Sequence, residues 1–190
     1  MNTRGLALFT ILTGLCLAVQ ITPRPANVEF TSFFSFVFGL MEGALVGAFF
    51  GSFVMLVNGF LSPFGFGGLN IPFQMIGMII AAVFGGMYGK FTRNVHPGTN
   101  FFLETAVLGA FIALIYDLVT NFGVGIQLIV TGENYALAFF TAFALGSFYS
   151  LVHIVSNTVV FGVLFLPVTN ALNSLKVGET SWSKKEHLFL

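Results

Sequence analysis

GALVGAFFGSFVMLVNGFLSPFGFGGLNIPFQMIGMIIAAVFGGMYG, residues 43–89, contains no Asp, Glu, Lys or Arg. A membrane-spanning helix needs roughly 20 apolar residues to cross a hydrocarbon core about 30 Å thick, so this stretch is too long for one crossing. The segment LSPFGFGGLN at 61–70 divides it, because proline and clustered glycine interrupt helices. The stretch therefore predicts two membrane-spanning helices, 43–60 and 71–89, joined by a loop.

The overall composition also indicates a membrane protein. Of the 190 residues, 56% are hydrophobic and only 7% are charged, against roughly 25% charged in soluble domains. The mean hydropathy is +0.95. The formal net charge is zero and no long basic run is present, so we expect no nucleic-acid partner. The lipid bilayer is the partner that this composition requires.

Apolar runs on both sides of this stretch predict further helices. They cover residues 5–21, 28–41, 101–122 and 151–171. Segment 123–150 is apolar but interrupted by TGEN at 131–134, and it has two interpretations. Either it is a re-entrant or lid-like segment, which gives six helices, or 135–150 crosses separately, which gives seven.

The distribution of charge favours six helices. With six, the basic residues gather on one membrane side, as the positive-inside rule requires of the cytoplasmic side, with only Arg24 opposite. These residues are Arg4, Lys90, Arg93, Lys176, Lys184 and Lys185. The predicted fold is therefore an all-α polytopic membrane protein, a single transmembrane domain over 1–190 with both termini cytoplasmic.

Polar residues within the apolar runs gather in the outer half of this topology. Polar groups in hydrocarbon cost several kcal/mol unless they are satisfied, so those present are functional candidates. They predict a substrate-binding cavity lined by Asn27, Glu29, Asn58, Asn70, Gln74, Asp117, Asn121, His153 and Asn157. Loop 61–70 is predicted to cover this cavity as a glycine-hinged gate, with Phe66 against the substrate.

Several of these assignments have an alternative. Some lie at helix ends, where wet interfacial side chains are common, namely Asn27, Glu29, Asn58 and Asn70. Asp117 and Asn121 are four residues apart, as are His153 and Asn157, so each pair shares a helix face. Asp117 either contacts the ligand or forms a structural pair with His153, and the sequence leaves both possibilities open.

The first helix differs from the others, because no polar residue in it is expected to face the cavity. Thr10, Gly14 and Ala18 instead follow one another at four-residue spacing. Small residues in this register let another helix approach closely. They predict a docking face for another subunit, with packing inside the protein as the alternative.

The sequence lacks common catalytic motifs. It contains no Gly-x-Ser-x-Gly motif, no His-Glu-x-x-His motif and no Walker motif, and its single cysteine, Cys16, excludes a disulfide framework. We therefore predict no enzyme, no cofactor and no metal site. If the protein moves a solute uphill, the energy must come from a partner or an ion gradient.

Taken together, these features resemble the substrate-binding S component of energy-coupling factor (ECF) transporters. The resemblance lies in the size, the six helices, the stripe on helix 1, and the segments PANVEF at 25–30, 39–51, IYDLVTN at 115–121 and HIVSN at 153–157. It implies a subunit of the prokaryotic plasma membrane that binds a vitamin or related micronutrient at high affinity. It also implies a transmembrane coupling subunit, docked on helix 1, and two ATPase subunits.

The ligand class and the function have alternatives. An acid, an imidazole, amides and many phenylalanines favour a neutral to cationic heterocycle, such as a cobalamin precursor, a flavin or a thiamine-like compound. The expected lack of spare positive charge argues against polyanions. One alternative function is an ion-coupled secondary transporter or channel that uses Asp117. Another is a membrane-embedded enzyme that uses Asp117 and His153.

Overall fold

The structure is a computed structural model, and it describes residues 3–92 and 100–174. Within these ranges the chain forms six α-helices, one short 3₁₀ turn at Gly68–Asn70, and no strand. The helices are α1 Thr3–Ile21, α2 Thr31–Glu42, α3 Ala44–Leu61, α4 Ile71–Phe91, α5 Phe101–Val130 and α6 Tyr135–Ser174. The all-α class predicted from the sequence is confirmed.

The helices differ in their ability to cross a bilayer. In the described part of the chain, four are long and apolar enough to do so, namely α3, α4, α5 and α6. Helix α1 has a shorter apolar run, and α2 has only 12 residues, a length of about 18 Å. Every residue of α2 except Glu42 is buried, so this short helix lies inside the bundle. The chain is a multi-pass membrane protein.

The buried helix α2 packs through phenylalanines and glycines. The ring of Phe161 on α6 meets the rings of Phe33 and Phe36 edge to face, with centroids 5.1 Å and 5.5 Å apart. On the other side of α2, a Cβ added to Gly39 would lie 2.0 Å from the carbonyl oxygen of Ala82. Because lipid is as apolar as phenylalanine, this close packing, rather than exclusion from water, stabilises the bundle.

The region 123–150 differs from the prediction. It is neither a re-entrant lid nor a separate crossing, because α5 continues to Val130 and α6 begins at Tyr135. The connecting turn includes Gly132 at φ 104°. Gly123 and Gly125 do not break α5, since they are the points where the rings of Phe73 and Phe139 pack against it. With 30 and 40 residues, α5 and α6 form a hairpin about 45 Å and 60 Å long.

The alternating helices place three connections at one end of the bundle. These are residues 22–30, 62–70 and 131–134, and we call this end the cavity face. Most of the cations used to orient the chain lie outside the described residues. These are Arg93, Lys176, Lys184 and Lys185. The cytoplasmic position of the termini therefore remains a prediction.

Candidate ligand-binding site

A cavity of about 550 Å³ opens at the cavity face. Its walls come from the end of α1, the loop after it, the end of α3, loop 61–67, and helices α4, α5 and α6. Of the residues predicted to bind substrate, it is lined by Asn27, Glu29, Asn58, Phe66, Gln74 and His153. Side chains that are far apart in sequence thus converge on one concave surface.

Loop 61–67 forms one side of this cavity. Phe64 and Phe66 line the cavity yet are more than half exposed, so they are not packed into the bundle. The loop is held near its base, where the Gly67 N–H donates to the Gly59 carbonyl at 2.9 Å. Gly65 has φ 103°, a conformation that residues with side chains rarely adopt. That the loop covers a bound substrate stays a prediction.

Three buried ionisable side chains form a chain at the floor of the cavity, where Glu29 and His153 line it and Asp117 lies behind His153. His153 Nε2 lies 3.1 Å from Glu29 Oε1, and His153 Nδ1 lies 2.9 Å from Asp117 Oδ1. All three residues are buried. Two ionised carboxylates can both be satisfied when both ring nitrogens carry a proton and donate. The Tyr116 ring packs edge to face on the imidazole, with centroids 5.2 Å apart.

The Glu29 carboxylate also caps helix α2. Its Oε2 and Oε1 accept the Ser32 N–H at 3.0 Å and 3.3 Å. A carboxylate at this position interacts favourably with the helix dipole. Burial by itself would raise the pKa of Glu29, but the hydrogen bonds from His153 and Ser32 outweigh it and lower that pKa to about 2. The oxygens of Glu29 are therefore already engaged by Ser32 and His153.

Asp117 and Asn157 lie behind the cavity rather than on its wall. Asp117 touches His153, which is the structural pairing that the sequence left open. Its second oxygen, Oδ2, is buried and has no hydrogen-bond partner among the described residues. Asn157 is buried and donates to the His153 carbonyl at 3.3 Å. Asp117 thus contacts the imidazole and Asn157 the backbone of the same residue, and neither lines the cavity.

A smaller chamber of about 380 Å³ adjoins the first cavity. It lies between α4 and the extended α5–α6 hairpin, and it is lined by the predicted residues Asn70 and Asn121. The two chambers share Asn27, Gln74, Tyr116 and Tyr149. Residues 123–150, for which the sequence left open a re-entrant or lid-like segment and a separate crossing, thus supply a wall of this second chamber.

Two polar residues of the cavity were missed by sequence reasoning. The expectation that no polar residue of helix 1 faces the cavity is wrong, because Gln20 is only 3% exposed and lines it. Gln20 donates to Thr31 Oγ1 at 3.2 Å and accepts a hydrogen bond from Arg24, which also lines the cavity. No sequence signal pairs them, because Arg24 lies beyond the end of α1 and after Pro23, where the four-residue spacing of a helix does not apply. The cavity therefore contains a cation.

The small-residue stripe on α1 is exposed. Thr10, Gly14 and Ala18 are all exposed, and a Cβ added to Gly14 would meet no atom within 4 Å among the described residues. Packing inside the protein, the alternative explanation of the stripe, is therefore not observed in this part of the chain. The stripe is free for a neighbour in the membrane.

Comparison with known proteins gives no relative. The chain matches no protein-family model, no curated protein and no solved structure. The cavity and its side chains are therefore the evidence for function.

Proposed function

We propose that this chain is the substrate-binding S component of an ECF-type importer for a vitamin or related micronutrient. The observation that carries the proposal is the cavity of about 550 Å³ at one face of a membrane helix bundle. Its volume is within the roughly 300–1,000 Å³ of small-molecule sites. A cavity open at one membrane face suits capture of a solute better than passage through a continuous pore.

Unpartnered polar atoms in the cavity support ligand binding. The side chains of Asn58 and Gln74 line the cavity, and their oxygens, Oδ1 and Oε1, are buried and accept no hydrogen bond from the described residues. An acceptor left in this state costs roughly 1–3 kcal/mol. A bound molecule that donates N–H or O–H groups to these amides, turned toward the cavity, would recover this free energy. The cavity therefore favours an occupant with donor groups.

The proposal includes partners and an orientation. Uphill import requires energy, which a transmembrane coupling subunit and two ATPase subunits would supply. The exposed stripe of Thr10, Gly14 and Ala18 on α1 supports a docking face, because small residues permit close helix contact. The cavity face would then point outward from a prokaryotic plasma membrane, with both termini cytoplasmic.

Identification of a co-purified ligand tests the proposal. The protein is purified in detergent without added ligand, bound small molecules are identified by mass spectrometry, and any compound found is titrated back by calorimetry. We expect one micronutrient-like molecule per chain, bound tightly. Absence of a co-purified compound, together with no response to a micronutrient panel, would contradict the proposal.

The buried chain of Glu29, His153 and Asp117 favours one second candidate, an ion-coupled transporter. Ionisable groups joined by hydrogen bonds within a membrane bundle are typical of proton relays. This function predicts solute uptake into proteoliposomes that contain this chain alone, driven by a pH gradient. The S component proposal predicts uptake only when the coupling subunit and the ATPases are present.

A further inference from the structure

Arg24 is the cation on the cavity wall, and its environment is unusual. Its Nε donates to the Val19 carbonyl at 2.9 Å and its Nη1 to the Pro25 carbonyl at 3.4 Å, while Nη2 donates to Gln20 Oε1. The guanidinium also lies over the ring of Phe64, 5.7 Å from its centroid. A guanidinium has five N–H groups, so each terminal nitrogen keeps one N–H without an acceptor among the described residues.

Among residues 3–92 and 100–174, Arg24 has no counter-ion in direct contact. In residues 3–92 and 100–174, the ion pairs within 4.0 Å are those of His153 with Glu29 and Asp117. Arg24 is only partly exposed, and burial lowers its pKa, although the negative charge of Glu29 acts in the opposite direction. The guanidinium is therefore partly dehydrated, positioned by neutral acceptors, and open on the cavity side.

The carboxylates of the site are not available in the same way. Both oxygens of Glu29 accept hydrogen bonds from Ser32, and one also contacts His153. Asp117 lies behind His153, outside the set of residues that line the cavity. A cationic ligand would thus meet on the cavity wall only Glu29, whose two oxygens already accept hydrogen bonds, which argues against the cationic ligands that the sequence favoured together with neutral ones. An anionic ligand would meet a guanidinium with two free donors.

We propose that Arg24 binds a carboxylate group of the ligand, while Asn58 and Gln74 accept N–H donors from another part of the same molecule. The inference rests on the proposed function, that is, on the cavity being a ligand site. Planar carboxylates fit the guanidinium fork, and Phe64, Phe66, Tyr116 and Tyr149 give the cavity aromatic walls. The ligand class is a small amino-substituted aromatic or heterocyclic carboxylate.

Three probes of nearly equal shape and different charge test this assignment. Calorimetry on the detergent-solubilised full chain compares 4-aminobenzoate, 4-aminobenzamide and 4-aminobenzylamine. We expect the carboxylate to bind about tenfold or more tightly than the amide, since hydrogen bonds to charged groups are worth about twice neutral ones. The cationic amine should bind weakest.

Variants assign the preference to Arg24. Arg24→Gln should remove the advantage of the carboxylate over the amide, and Arg24→Lys, which keeps the charge but not the fork, should retain part of it. Lys90→Gln is the matched control, because Lys90 is an exposed cation at the end of the bundle opposite the cavity face. It should leave all three affinities unchanged. Size-exclusion profiles and thermal unfolding verify that each variant is folded.

The outcomes separate this inference from the proposed function. Equal or tighter binding of the amide or the amine, or a carboxylate preference that survives Arg24→Gln, would overturn the role of Arg24 while leaving a ligand site. A co-purified ligand without an anionic group would overturn it as well. If no probe binds and no compound co-purifies, the cavity is not a ligand site and both proposals fail.

Discussion

His153 on α6 and Asp117 on α5 are joined by a 2.9 Å contact between Nδ1 and Oδ1, both buried in the bundle. The opposite ring nitrogen contacts Glu29, so one imidazole ties two long helices to the loop before α2. Asn27 adds a further contact, since its Nδ2 donates to the Tyr149 carbonyl at 3.1 Å. These contacts hold the floor of the cavity in place, and we call this set of contacts the platform. Loop 61–67, the predicted cover, is held near its base.

Replacement of His153 should destabilise the protein strongly. His153→Ala leaves the carboxylates of Glu29 and Asp117 buried without their shared partner, and breaking a buried ionic contact costs roughly 3–5 kcal/mol. Thermal unfolding in detergent should show a large fall in the melting temperature. Ser147→Ala, an exposed change on the same helix, should lie within about 0.5 kcal/mol of the unmodified protein. Equal melting temperatures for His153→Ala and Ser147→Ala would refute the platform.

Asn58→Leu should have opposite effects on stability and binding. Leucine keeps the branched shape of asparagine and removes a buried acceptor that has no donor in the described structure, so the free energy of unfolding should stay equal or rise by up to about 1–3 kcal/mol. Affinity for the co-purified ligand should fall about tenfold or more, because a hydrogen bond to that ligand is lost. Titration calorimetry and thermal unfolding measure the two quantities.

The control for Asn58→Leu is Leu56→Val on the same helix. Leu56 is 40% exposed and lines neither chamber in the described structure. It should leave the affinity unchanged. If Asn58→Leu binds the ligand as tightly as this control does, Asn58 is an interfacial residue, which is the alternative that its position at a helix end allowed.

Close contact between α2 and α4 makes Gly39 intolerant of even one methyl group. A Cβ at Gly39 would lie 2.0 Å from the Ala82 carbonyl oxygen, and the two helix backbones would have to separate. Overpacking of this kind costs typically about 1–3 kcal/mol, and backbone contact places Gly39→Ala at the upper end or above.

The same substitution at Gly14 is its matched control. Gly14 also lies within a helix, but an added Cβ meets nothing there, so Gly14→Ala should be neutral or stabilising by up to about 1 kcal/mol through helix propensity. Thermal unfolding of the two alanine variants in one detergent compares them directly. A melting temperature for Gly39→Ala at or above that of Gly14→Ala would show that α2 and α4 do not pack as described.

The helices on each side of loop 61–70 could be located from the sequence because their boundaries coincide with local breaks in an apolar run. The length of α5 could not be predicted in this way. Gly123 and Gly125 suggest an interruption, but they serve as contact points for Phe73 and Phe139, and those partners lie on other helices. Apolar periodicity cannot separate a glycine that ends a helix from one that admits a neighbouring ring.

The candidate site was predictable where polar residues lie inside apolar runs. Glu29, Asn58, Gln74 and His153 stand out for this reason, and the fold brings them to one cavity. Arg24 does not stand out, since a cation between prolines also fits an ordinary interfacial loop. Its position depends on the course of the loop before α2.

Gly14→Leu on α1 should separate binding from transport. In the proposed importer α1 contacts the coupling subunit, and a leucine at Gly14 would hold the partner helix away because the exposed stripe admits only small side chains. Gly14 faces away from the cavity-lining residues, so the affinity for ligand should be unchanged. Uptake with the complete set of subunits should fall about tenfold or more. Gly14→Ala keeps a small residue and should retain most of the uptake. Normal uptake by Gly14→Leu would exclude the stripe as the docking face, and loss of ligand affinity would show instead that the substitution acts through the cavity.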